Sequence, residues 1–108
     1  MLPTVYNGRD NEIVWRLEAG GRPVESDAVT AVVMHIEPAA GGQAVCLDTR
    51  EDSELELADG GRRVKARLGH LALSPGGYRV SLTVFDTRHS GGIAWDTDVI
   101  RVEDWPGC

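Results

Sequence analysis

Apolar and polar residues alternate most regularly between Gly76 and Asp86, where Tyr78, Val80, Leu82 and Val84 are separated by Arg79, Ser81 and Thr83. A two-residue period belongs to a strand with one buried face, and the Ser74-Pro75-Gly76-Gly77 breaker marks its start, so this stretch predicts a central strand. Earlier in the chain, Ile13, Trp15 and Leu17 alternate with Val14, Arg16 and Glu18 until Gly20-Gly21-Arg22-Pro23 ends the run. Residues 27–37 carry Val29, Val32, Val33, Met34 and Ile36, nearly continuous apolar character that predicts a strand covered on both faces near its middle. Pro38 and Ala39-Ala40-Gly41-Gly42 break it, and residues 43–49 follow as a weaker strand with Val45 and Leu47 on one face and Ala44 and Cys46 on the other.

The next pair of segments predicts a hairpin. Leu55 and Leu57 alternate with Glu54 and Glu56 before Asp59-Gly60-Gly61, and Val64, Ala66 and Leu68 alternate with Arg63, Lys65 and Arg67 after it. Asp-Gly tolerates the positive φ of a tight turn. The tightest registers set the glutamates against the basic residues and the leucines against Val64 and Ala66, which accounts for this charge run without a ligand. In the last segment Ile93 and Trp95 hold the odd phase while Ile100 and Val102 hold the even one, a slip that a β-bulge around Asp96 to Asp98 would produce.

About seven short strands separated by turn signals, with no helical window of ten residues, predict an all-β chain: a single antiparallel immunoglobulin-like β-sandwich. Residues 1–10 lack periodicity and read as an extended N-terminal arm outside the core, 11–103 as the sandwich domain, and 104–108 as a C-terminal tail. Within the sandwich, Tyr78, Val80, Leu82 and Val84 are expected to pack against Trp15, Ile36 and Trp95 across the two sheets.

Composition agrees with one domain. The 108 residues are 42% hydrophobic and 26% charged, and 13 glycines with 5 prolines suit turns better than helices. A formal charge of −6 disfavours nucleic acid as a partner, since phosphate binding needs a basic surface. The N-terminus lacks a basic region followed by an apolar run, and no stretch reaches the roughly 18 apolar residues of a membrane helix, so no membrane partner is expected. Cys46 and Cys108 make no disulfide framework and are expected as free thiols, in keeping with synthesis in a reducing cytoplasm.

Candidate chemistry is sparse. Asp86, His89, Asp96 and Asp98 lie near one loop and bulge and could converge on a metal, but their spacing matches no zinc or calcium signature, and a polar loop with Asp86 capping a turn is preferred. His35 reads as a structural histidine within an apolar strand, and His70 as exposed or at a strand edge. Cys46, Ser74, Ser81 and Ser90 lack the activating partners of a nucleophile. The pairs Gly20-Gly21, Gly41-Gly42, Gly60-Gly61, Gly76-Gly77 and Gly91-Gly92 are turns and not a phosphate cradle. Neither an enzyme nor a cofactor or metal site is expected. Trp105 in the Asp-Trp-Pro-Gly tail either folds back over an open end of the sandwich or docks on another subunit, so Trp105, Pro106 and Tyr6 stand as possible interface residues.

Five segments taken together resemble the immunoglobulin-like sandwich at the N-terminus of upper baseplate proteins of tailed bacteriophages: Ile13–Leu17, Gly21–Val24, Val29–Val32, Leu73–Asp86 and Gly92–Trp95. The resemblance implies a non-enzymatic structural or adaptor protein of a phage or prophage virion, at the tail tip or baseplate. It would contact other virion proteins and copies of itself, and would be made in the bacterial cytoplasm. In that family further segments follow the sandwich, whereas this sequence stops at Cys108, which favours a small stand-alone subunit. Two alternatives come from other classes. One is a small acidic binder that inhibits a host protein through Glu51, Asp52, Glu54, Glu56 and Asp59; the other is a carbohydrate-binding sandwich that stacks sugars on Trp95 or Trp105.

Overall fold

Tyr78, Val80, Leu82 and Val84 leave almost no surface to water, while Arg79 between the first two is exposed and Ser81 and Thr83 are half-buried, so the predicted alternation is the actual division of a strand into two faces. This strand is β9 (Gly76–Asp86) of a computed structural model that describes residues 3–9, 12–19, 22–23, 29–58, 63–87 and 91–104. The others are β1 (Thr4–Asn7), β2 (Glu12–Arg16), β3 (Glu18–Ala19), β4 (Arg22–Pro23), β5 (Val29–Pro38), β6 (Val45–Asp48), β7 (Leu55–Ala58), β8 (Arg63–Arg67) and β10 (Ile93–Asp104). A 3-10 turn, Leu68–Leu71, joins β8 to the approach of β9, and no α-helix occurs among the described residues.

Sheet A has the order β1-β10-β9-β5-β6, which makes β9 its middle strand, and sheet B has the order β2-β8-β7. β3 and β4 form a separate two-stranded pair. One apolar core joins the sheets: Trp15, Leu55, Val64, Ala66 and Leu68 meet Val32, Met34, Ile36, Leu47, Tyr78, Val80, Leu82 and Val84. Trp15 therefore faces β9 from the other sheet as expected. Ile36 and Trp95 do not, because Ile36 pairs with Val80 inside sheet A and Trp95 lies on β10 of the same sheet.

Two expectations need correction. The sheet is mixed and not purely antiparallel, since β1 runs parallel to β10 with Thr4 opposite Arg101 and Asn7 opposite Asp104. Residues 4–7 are consequently no arm outside the core: Val5 is wholly buried opposite Val102. A four-residue strand that contributes one apolar side chain shows no period, so hydrophobic patterning passes over it.

The remaining registers follow from the faces. β7 and β8 pair Leu55 with Ala66, Glu56 with Lys65 and Leu57 with Val64, the predicted match of charge to charge and apolar to apolar. The bulge in β10 is present one residue earlier than predicted: Ala94 faces Thr83 and Asp96 faces Leu82, leaving Trp95 as the extra residue. It moves the inward phase from Ile93 and Trp95 to Asp98, Ile100 and Val102. A second shift at Thr30 in β5 leaves both Ala31 and Val32 buried.

Candidate functional site

The outward faces of the two sheets differ in chemistry. Sheet B presents Glu12, Val14 and Arg16 from β2, Arg63, Lys65 and Arg67 from β8, and Glu56 and Ala58 from β7. Arg67 lies 3.7 Å from both Glu12 and Glu56 across the strands, so this is a solvated face laced with weak ion pairs.

Sheet A presents an uncharged strip instead. Opposite the buried side chains of each strand stand Val33 and His35 on β5, Cys46 on β6, Ser81, Thr83 and Phe85 on β9, Thr97 and Val99 on β10, and Tyr6 on β1. The same face also carries charged residues. Glu37 is directly opposite Arg79, and Arg101 holds Glu103 at 2.8 Å.

At the β6 end, Arg50 clasps Asp48 with two bonds, Nε to Oδ1 at 2.9 Å and an NH2 to Oδ2 at 2.7 Å, while its backbone N–H donates to Oδ1. Those bonds hold the Asp48 carboxyl below the usual carboxylate range and raise the guanidinium. The same guanidinium sits 5.3 Å from the centre of the Phe85 ring. Gly92 is needed beside that ring, for its φ is +82° and a Cβ would come within 2.5 Å of Thr83 Cγ2 and about 3 Å of Phe85.

Along the edge of sheet A, β1 covers only the last part of β10, residues 101–104. The uncovered first half turns Asp96 and Asp98 toward the inner side, where the Trp15 indole N–H donates to Asp98 Oδ2 at 3.1 Å. Inward carboxylates on an open edge discourage another strand from adding there.

The sequence-derived candidates separate accordingly. Asp86 lies opposite Val29 and Asp96 opposite Leu82, four residues apart along the ladder or about 13 Å at strand spacing, so the proposed metal ligands do not converge. His89 lies outside the described residues, and no group of three His, Cys, Asp or Glu among those described could hold a metal. His35 stands opposite Cys46 on the outward face of sheet A, and His70 is exposed in the 3-10 turn. Cys46 is an exposed free thiol, and Cys108 lies outside the described residues.

Of the acidic run, Asp52 accepts the Asp48 N–H and Glu56 faces Lys65; Asp59 lies outside the described residues. Trp15 is buried and Trp95 is half-buried against the core. Of the interface candidates, Tyr6 occupies β1 on the outward side of sheet A opposite Glu103, whereas Trp105 and Pro106 lie outside the described residues. Sequence reasoning passed over the uncharged strip, because its members come from five strands and only the strand order lays them side by side. Compared with known protein families, curated proteins and solved structures, the chain matches none of them.

Proposed function

We propose that this chain is an immunoglobulin-like β-sandwich serving as a non-enzymatic structural or adaptor module that works through protein–protein contacts. Strand order supports the fold. β10-β9-β5-β6 beside β2-β8-β7 corresponds to the G-F-C-C′ and B-E-D sheets of such sandwiches. Tyr78, at the start of the strand in the F place, donates its hydroxyl to the Ser74 carbonyl at 2.6 Å, as a tyrosine corner does. The cysteine pair of antibody domains is not part of the pattern, since Cys46 is the free cysteine of the described strands.

The observation that carries the function is the uncharged outward strip of sheet A, bordered by acidic and basic residues in equal number, set against the charged outward face of sheet B. Interfaces place uncharged and aromatic groups at their centre and charges at their rim. Location in a phage or prophage virion, at the tail tip or baseplate, rests on the resemblance carried by β2, β5, β9 and the start of β10; other virion proteins and copies of the chain are its partners. Mass spectrometry of purified particles should recover the chain in fixed ratio to the tail proteins. Particles that lack it would overturn the virion location.

A further inference from the structure

We propose that the outward face of sheet A is a self-association surface, on which a second copy of this chain packs sheet to sheet. The inference rests on the protein–protein reading above and names its partner. Charge selects the occupant. With a formal charge of −6, two copies repel one another at most orientations, and an approach is cheap only through a patch that carries no net charge. Sheet A offers such a patch: Asp48 and Glu103 are paired with Arg50 and Arg101, and Glu37 stands opposite Arg79 in the strand register, so its acidic and basic residues balance. A copy therefore meets a face whose charges sum to zero. A strongly basic or acidic partner would gain no net attraction there.

The dimensions suit the same occupant. Five strands at about 4.8 Å and central strands of roughly 30 Å give a face of about 700 Å², close to the ~800 Å² per partner of a standard interface. Val33, Ser81, Thr83 and Val99 on this face are short, so two such faces can approach there at about the 10 Å of packed sheets. Among the described residues the chain has two exposed large apolar side chains, Val99 on this face at 43% and Val14 on sheet B at 44%. Each stands opposite a cation, Arg79 and Lys65 respectively. They form a matched pair for a test.

Sedimentation equilibrium of the full chain over a wide concentration range should show a monomer–dimer equilibrium. Val99→Lys should raise the dimer dissociation constant at least ~10-fold, and Ser81→Arg likewise, while Val14→Lys leaves it unchanged and all three keep the wild-type circular dichroism. A chain that stays monomeric throughout, or a dimer weakened equally by Val14→Lys, overturns the proposal. Neither result bears on the presence of the chain in particles, so the two ideas fail separately.

Discussion

Leu82 is 3% exposed at the middle of the middle strand, opposite Met34 on one side and Asp96 on the other. Truncation to alanine leaves a cavity that neighbouring β-strands cannot collapse into, and Leu82→Ala should cost about 2 to 5 kcal/mol, measured by urea denaturation. An unchanged midpoint would show that the side chain is not packed. Asp48 makes a different kind of contribution. Its folded-state pKa is lowered by the Arg50 bonds, so the stabilisation it contributes is present at neutral pH and is lost as the pH falls through the carboxylate range. The melting temperatures of wild type and Asp48→Asn should differ at pH 7 and converge below about pH 3. Curves that stay parallel would show that the clasp adds nothing to stability, as is common for exposed pairs.

At the scale of elements, Gly69 illustrates how one small residue seats a strand. It lies buried in the 3-10 turn, and its carbonyl accepts the Gly8 N–H at 2.8 Å just past β1. A Cβ there would overlap the Arg9 carbonyl oxygen and stand 2.7 Å from that of Tyr6, backbone atoms that move only with the strand. Gly69→Ala should cost about 1 to 3 kcal/mol and speed hydrogen exchange in residues 4–7 more than in β9. Uniform loss of protection would contradict a local role.

The same element marks the boundary of what could be read in advance. β9 and the β7–β8 pair were legible because their own side chains declare both the period and the partner. The phase slip after Trp95 likewise announced a bulge to within a residue. β1 and the β3–β4 pair were not, being two to four residues long and set by partners far away in the chain. Ile36 and Trp95 were placed in the wrong layer for a related reason: burial is visible in a pattern, whereas strand order is not.

For the whole molecule, the division of labour between faces matters more than any single side chain. The interior joins sheets A and B, sheet B is turned to water by its basic and acidic rows, and sheet A carries an uncharged strip on its exterior. The candidate site shared that limit on legibility. Tyr6 alone pointed to this face, and the strip emerged only once five strands were ordered side by side.

The parallel pairing of β1 with β10 has a consequence for how the chain reaches this state. Thr4 and Arg101 are neighbours in space and nearly the full chain apart in sequence. Closing so long a loop is entropically expensive until the intervening strands have already drawn its ends together. β1 should therefore dock after the folding barrier has been crossed. In stopped-flow kinetics, Val5→Ala should raise the unfolding rate while leaving the refolding rate close to wild type, a φ-value near zero. Slowed refolding would mean that the first strand helps to nucleate the fold and does not seal it.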